Sequence, residues 1–289
     1  MNSEVKKNAL RSVLITGAST GIGEACALHL VARGWRVFAG VRREEDGQAL
    51  VSKTEHVIIP VLLDVTRSEQ ITAAVEQIKG IVGDAGLDGL LNNAGIAVGG
   101  PLEYLPTDQI EYQFRVNVFG AIAVTQACMP LIRLACGRIL FTSSNSGFWC
   151  EPFLSVYGGS KHALEAIGDS LRFELSPWGI HVALIEPGMV STPIWDKAKA
   201  DSEKVSTIYP PEALERYAAP IAAMRKIVNE KPAIVASPYR VALAVQHALE
   251  ARRPKTRYQV GIDCRIQYYL RRIMPDRLRD RLAKWVMGL

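Results

Sequence analysis

Val156-Tyr157-Gly158-Gly159-Ser160-Lys161 sets a phenol and an amine four residues apart. On a helix, residues i and i+4 share a face, so both groups point the same way. A phenol ordinarily titrates near about pH 10, too high for a general base at neutral pH. A neighbouring ammonium favours the phenolate, so Lys161 is expected to lower the pKa of Tyr157. Alone, the spacing suits a solvated helix face equally well, and the surrounding residues decide its meaning. Phe141-Thr142-Ser143-Ser144 ends thirteen residues before Tyr157. A hydroxyl there could polarise a carbonyl or an alkoxide. Asn117 interrupts the apolar run FRVNVFGAIAV. An amide in such a setting needs partners, as a structural kink or as part of a polar relay.

These groups need a scaffold, and the chain supplies an alternation of strands and helices. Strands are expected at Ser12–Thr16, Arg36–Val41, Val57–Leu63, Leu87–Leu91, Arg138–Thr142, Ile180–Glu186 and Tyr258–Val260. Helical patterns fall at Glu24–Arg33, closed by Gly34, and at Gln70–Ile81. Continuous Val/Ile/Leu runs separated by helices imply a parallel sheet covered on both faces, hence an α/β, Rossmann-type, doubly wound fold. Ligands of such sheets lie at the C-terminal strand ends, where Asn92-Asn93-Ala94-Gly95 and Ser144 fall. The first strand runs into Thr16-Gly17-Ala18-Ser19-Thr20-Gly21-Ile22-Gly23 and then a helix. Glycine lets the backbone turn sharply and approach a pyrophosphate, and the helix N-terminus favours an anion. The spacing is GxxxGxG rather than the commoner GxGxxG.

Bulk properties fit an ordinary globular chain, with 48% hydrophobic and 22% charged residues among 289. The five cysteines, Cys26, Cys128, Cys136, Cys150 and Cys264, form no CxxC pair, which suits reduced thiols and a cytoplasmic protein. No metal is expected. The N-terminal MNSEVKKNAL has no apolar leader pattern. The longest apolar candidate, Val116 to Leu134, is interrupted by polar residues and Pro130, and reads as a buried helix. From Glu250 to Leu289 there are 11 Lys and Arg against 4 Asp and Glu, so the excess of a chain of net charge +5 sits in its tail. No base-reading motif accompanies it, and nucleic-acid binding is not expected.

In combination, TGxxxGIG, NNAG, Asn117, Ser144, YxxxK and Pro187-Gly188 follow one another on successive βα units. This resembles the short-chain dehydrogenase/reductase family over about Ser12 to Asp263. The resemblance implies that Tyr157 exchanges a proton with the substrate oxygen. It implies that Lys161 lowers the Tyr157 pKa and holds the nicotinamide ribose, and that Asn117 supports a water-linked relay to Lys161. It assigns Ser144 to the reacting oxygen; Ser143 competes, and the thirteen-residue offset favours Ser144. It implies a dinucleotide held by Gly17, Ser19, Thr20, Gly21, Ile22 and Gly23. Asp64 and Val65 would sit by the adenine, and Asn93, Ala94 and Gly95 by the adenosine ribose. Pro187, Gly188, Val190 and Thr192 would flank the nicotinamide carboxamide. An NAD enzyme of this fold usually carries an acid after strand two. Here Arg42-Arg43 follow, which suits a 2′-phosphate and predicts NADP(H) over NAD(H), although Glu44, Glu45 and Asp46 partly cancel the field.

LIEPGMVSTPI and FTSSNSGFWCEPFLSVYGGSK are similar to the hydroxysteroid and retinol dehydrogenase branch. That likeness implies a small apolar alcohol or ketone as substrate, such as a steroid, a retinoid or a similar lipid-like molecule. Residues 1–264 are expected to form one catalytic domain, with a proline-punctuated lid at about 188–237. Ile194, Trp195, Tyr209, Tyr217, Phe148 and Trp149 would line the substrate or pack the lid core. Residues 265–289 read as a basic amphipathic helical tail. It is expected to pack against protein, with peripheral contact to an anionic membrane as the alternative. The family habit of pairing helices near Asp108–Leu134 and Val156–Ser176 implies a homodimer or homotetramer. A non-catalytic NAD(P)-binding protein of the same fold is the rival reading, as is an epimerase or dehydratase.

Overall fold

Seven parallel strands form one sheet in the order β3-β2-β1-β4-β5-β6-β7 in the computed structural model. It describes residues 10–207, 209–229 and 235–287. Residues 1–9, read above for a leader, therefore lie outside the described residues. So do Pro232 of the expected lid, the side chain of Val286, and residues 288–289 of the tail.

The strands are β1 (Ser12–Thr16), β2 (Arg36–Val41), β3 (Ile58–Leu62), β4 (Gly89–Asn92), β5 (Arg138–Thr142), β6 (His181–Pro187) and β7 (Arg257–Val260). All of β1 is buried, and its alternate residues feed opposite faces. Val13 and Ile15 join a core with Cys26, Leu30, Val241 and Val245, whereas Leu14 joins one with Ile71, Ile78, Val124 and Leu164. Two apolar layers demand strands that are hydrophobic at every position, which is the pattern of the sequence.

Helices α1 (Gly21–Ala32), α2 (Glu44–Val51) and α3 (Ser68–Val82) cross between the early strands. Next, α4 (Thr107–Phe114) and α5 (Ala121–Ala135) are joined by a π-helical turn, Arg115–Gly120, with Asn117 inside it. A π turn inserts an extra residue and re-aims the side chains it carries. By length and composition the run 107–135 is apolar enough to cross a membrane. Its Val124, Cys128, Leu131 and Ile132 are buried in the core. Then follow α6 (Ser155–Leu175), α7 (Ile194–Ser206), α8 (Pro211–Arg216), α9 (Ala218–Asn229) and α10 (Pro238–Glu250).

The expected helical tail is present. It is two helices, α11 (Ile262–Ile273) and α12 (Asp276–Met287), separated at Pro275. Proline lacks the N–H that a continuing helix needs. The expected boundary at 264/265 falls inside α11, because Cys264 is fully buried and its thiol donates to the Glu186 carbonyl at 3.0 Å. Helix α2 has no counterpart in the sequence reading, since EEDGQALV buries only Gly47 and Leu50.

Candidate active site

The sheet order reverses between β1 and β4, and the crevice opens at that point. Every residue assigned above to the site lines this one crevice except Gly23 and Asn117. The turn after β1 builds its floor. Gly17 and Gly21 have φ of +64° and +63°, a region that side chains strain to enter. A Cβ on Gly17 would stand 2.9 Å from the Ala94 Cα, so the turn packs directly on the chain after β4. Asn93 locks the two together, its Nδ2 donating to the Thr16 carbonyl at 3.0 Å and to the Gly17 carbonyl at 3.1 Å. The Thr16 hydroxyl accepts from the Asn93 and Ala94 amides at 2.9 Å each. Asn93 and Ala94 thus shape the turn as well as lining the crevice. Gly23 lies beneath, where a Cβ would press on the Asn93 amide at 2.6 Å.

Asn117 is buried behind Gly95. Its Oδ1 accepts from the Ile96 amide at 2.9 Å, and its Nδ2 donates to the Ile96 carbonyl at 3.0 Å and to the Ser160 hydroxyl at 3.1 Å. One helical turn earlier, Gln113 holds the Ile96 carbonyl at 2.8 Å and the Val98 amide at 2.7 Å. Asn117 therefore fastens the loop after β4 to α6. The space that a Gly95 side chain would fill lies 3.4 Å from Asn117 Oδ1 and 3.7 Å from Lys161 Nζ. Glycine keeps that gap between the two groups open.

Tyr157 and Lys161 lie on the inner face of α6, both buried. Lys161 Nζ donates to the Thr142 carbonyl at 2.8 Å and sits 5.6 Å from the centre of the Tyr157 ring. Burial pushes the ammonium down to about 8, opposed by the charge of Glu165. The Tyr157 phenol moves the opposite way from the expectation. Burial pushes it up to about 12, and the charge of Glu151 adds to that rise. A hydrogen bond with Ser144 works against it. The reason is geometric: the ammonium lies over the ring and is turned to Thr142, so desolvation outweighs its field at the phenol oxygen. The Ser144 hydroxyl also caps the short turn 145–147, accepting from the Ser146 amide at 3.2 Å. Ser143 differs, because its buried hydroxyl has no hydrogen-bond partner among the described residues and lies on the side of Glu165.

A dinucleotide fits this donor set. The first turn of α1 has no side-chain cap, which leaves its N–H groups for a phosphate. Arg42 and Lys197 line the crevice, and neither has an ion pair among the described residues. The acidic run beyond β2 is quenched locally, with Arg43 gripping Asp46 at 2.8 and 3.0 Å and holding its carboxyl below the usual range. Arg42 and Lys197 reach the same Asp46 field, so two cations converge there.

The model of the short chain dehydrogenase family matches residues 11–203. The chain belongs to the short-chain dehydrogenase/reductase family. It is accordingly an oxidoreductase acting on CH–OH groups. The NADPH-dependent 3-dehydrocapnine reductase of Ornithobacterium rhinotracheale is 34% identical over 278 residues, spanning 94% of this chain and 96% of the relative. Retinol dehydrogenase 7 of Mus musculus is 35% identical over 290 residues, spanning 94% and 87%. A short-chain dehydrogenase structure from Streptomyces avermitilis superposes with a TM-score of 0.77 at 26% identity, covering 96% of each chain. One from Burkholderia cenocepacia, in complex with NADP, shares the fold at a TM-score of 0.72 and 23% identity, covering 94% and 97%. The chain thus stands nearest the retinol and hydroxysteroid branch of the family.

Several residues of this short-chain dehydrogenase/reductase escaped the sequence reading. Thr16, Gln113, Thr142 and Ser160 act through hydrogen bonds that no spacing announces. Lys197 comes from the expected lid, one helical turn into α7. Trp195 stands against Tyr157 with ring centres 6.1 Å apart, and Ile194 also lines the crevice. Tyr209 and Tyr217 pack on Tyr104, each at 6.0 Å. Phe148 meets Tyr268 of α11 at 5.5 Å, and Arg279 of α12 lies 5.6 Å over Trp149.

Proposed function

We propose that this enzyme interconverts an apolar primary or secondary alcohol and its aldehyde or ketone with NADP(H). The observation that carries the reading is the buried Tyr157–Ser144 pair at the base of the crevice, with Lys161 beneath it and Trp195 above. When bound, the nicotinamide cofactor supplies or takes the hydride. In reduction the Tyr157 phenol gives its proton to the carbonyl oxygen, and Ser144 orients that oxygen. In oxidation Tyr157 takes the alcohol proton back. Lys161 holds the Thr142 carbonyl and presents a positive charge to the ribose side of the crevice. Asn117, tied to Ser160 and Ile96, fixes the wall of the gap through which a water would link to Lys161.

Arg42 and Lys197, both unpaired among the described residues, support a 2′-phosphate and hence NADP(H) over NAD(H). Asp64 and Val65 fit the adenine side, and Pro187, Gly188, Val190 and Thr192 the carboxamide side. Trp195 and Ile194 favour a steroid, retinoid or similar lipid-like substrate, in keeping with the retinol dehydrogenase relatives. Five free cysteines support a reducing, cytoplasmic setting. Phe119 and Phe173, 61% and 72% exposed on α5's approach and on α6, support subunit pairing through those helices.

The test is NADPH oxidation at 340 nm (about the nicotinamide absorbance maximum) with all-trans-retinal, a 3-ketosteroid and a long-chain aliphatic ketone, alongside NADP⁺ reduction with the corresponding alcohols. Turnover of at least one pair, faster than with small polar ketones, is expected. Tight NADPH binding without turnover of any member would overturn the apolar-substrate reading.

A further inference from the structure

We propose that Asp263 of α11 is a positioning residue for the nicotinamide end of the cofactor, holding residues 187–192 from behind. This rests on the assignment of Pro187, Gly188, Val190 and Thr192 to the carboxamide side. Those four residues line the crevice, and Asp263 stands behind them. The backbone of this segment is tied at several points. The Gly188 amide donates to the Val260 carbonyl at 2.8 Å, and the Ser191 amide to the Ala236 carbonyl at 3.1 Å. The Met189 carbonyl accepts from the Ala236 amide at 3.0 Å. The Met189 amide is instead met by a side chain, Asp263 Oδ2, at 2.6 Å. An N–H bond to a carboxylate is roughly twice as strong as one between neutral groups.

Two glycines make room for that carboxylate. A Cβ on Gly188 would overlap both of its oxygens, and one on Gly261 would overlap Oδ1. Asp263 is therefore wedged between the chain leaving β6 and the chain leaving β7. Its Oδ1 is buried with no hydrogen-bond partner among the described residues. A buried carboxylate with an orphaned oxygen is a cost to folding that packing does not explain. Its position in the first turn of α11, where the helix dipole favours an anion, offsets part of that cost. The residue also lies beyond 203, where the family match ends. Other bonds hold the same junction without this carboxylate. Cys264 donates to the Glu186 carbonyl at 3.0 Å, and the Gly188 bond to Val260 is between backbone atoms. A substitution at Asp263 leaves both intact, so positioning is separable from folding.

Asp263→Ala removes the acceptor, whereas Asp263→Asn keeps one in a side chain of the same shape. Each full-length enzyme is titrated by calorimetry with NADPH and with 2′-phospho-ADP-ribose, which lacks the nicotinamide. Wild type should bind NADPH the more tightly. In Asp263→Ala the NADPH dissociation constant should rise by about tenfold, while that of 2′-phospho-ADP-ribose stays within about twofold of wild type. Asp263→Asn should hold NADPH to within about threefold of wild type. Amide hydrogen exchange at Met189, measured without nucleotide, should accelerate in Asp263→Ala and not in Asp263→Asn. An Asp263→Ala enzyme that kept the wild-type preference for NADPH over 2′-phospho-ADP-ribose would overturn the proposal. That holds whether it bound both nucleotides normally or both more weakly, the second being the mark of a purely structural contact. Equal binding of the two nucleotides by wild type would overturn the carboxamide assignment instead, and Met189 exchange would still decide whether Asp263 holds the segment.

Discussion

Tyr157, Lys161, Glu165 and Asp169 recur every four residues along one face of α6, yet the front pair and the rear pair are treated differently. At the rear, Arg257 of β7 satisfies three carboxylates at once: Glu165 at 2.9 Å, Asp169 at 2.8 Å and Glu186 at 3.2 Å. Gln259 adds a bond to Glu186 at 2.5 Å. The three rear carboxylates share the Arg257 guanidinium, with Arg172 also on Asp169 at 2.7 Å, and burial beside Glu165 pushes Glu186 toward its neutral form. At the front, the buried Lys161 ammonium has a backbone carbonyl as its hydrogen-bond partner, and the Tyr157 phenol has a serine. The comparison teaches that buried ionisable groups tied to a guanidinium brace this fold, whereas those left with a backbone carbonyl or a serine mark where it does chemistry. A site that meets an anionic cofactor and a polar oxygen must leave charge unmatched until they arrive.

If that division holds, front and rear substitutions should have opposite signatures. The largest effect is expected from Lys161→Met: a loss of about 10²- to 10³-fold in kcat/KM by steady-state kinetics. Its melting temperature should stay level or rise, because a desolvated ammonium has been removed. Arg257→Met should do the reverse. It strands Glu165 and Glu186, while Asp169 keeps Arg172, and should destabilise the protein by about 3 kcal/mol in urea unfolding. The turnover of the folded fraction should change little.

Smaller is the effect of the cation pair at the crevice mouth. Arg42→Asp and Lys197→Ala should each lower the NADP/NAD ratio of kcat/KM, by about tenfold or more for the charge reversal and less for the truncation. An unchanged ratio in both would remove the phosphate assignment. The smallest effect is a matter of pH, and its sign differs between the two regions. Burial holds Lys161 below its ordinary value, so the folded state favours the neutral amine. Stability should then rise as pH climbs from about 8 toward the unfolded-lysine range, and Lys161→Met should lose that rise. Burial and Glu165 push Glu186 up from its ordinary value, so the folded state favours the neutral acid. Stability is then greatest in acid and lost as pH rises through the folded value, a slope that Glu186→Gln should flatten. Thermal melts across pH 5 to pH 10, roughly the span of these groups, would show both.

The front of the molecule was largely legible in the sequence, and the rear was not. Strands β1, β2 and β5 fall at the residues expected, because a run apolar at every position has one reading in a covered parallel sheet. The glycine turn, Ser144, Tyr157 and Lys161 converge because each follows a strand end or opens a helix. Strand β4 begins later than expected, since the Leu87 amide bonds to the Leu131 carbonyl rather than to a neighbouring strand. The rear cluster carried no motif. Glu165 and Asp169 look like solvated helix residues until Arg257, some ninety positions away, is folded onto them. The tail looked like a separate basic helix because its charges are plain, whereas Asp263 and Cys264 act through contacts with the distant Met189 amide and Glu186 carbonyl. The Tyr157 pKa direction was misjudged for the same reason, as sequence spacing reports proximity to Lys161 but not the depth of burial.

The central claim is that the uncompensated front pair transfers a proton to or from a substrate oxygen. It is tested most directly by comparing Tyr157→Phe with wild type in NADPH-dependent reduction of the best panel carbonyl, with NADPH affinity measured by fluorescence on the same samples. The account predicts a loss of about 10³-fold or more in kcat with the NADPH dissociation constant within about twofold of wild type. Turnover by Tyr157→Phe within about tenfold of wild type would contradict it.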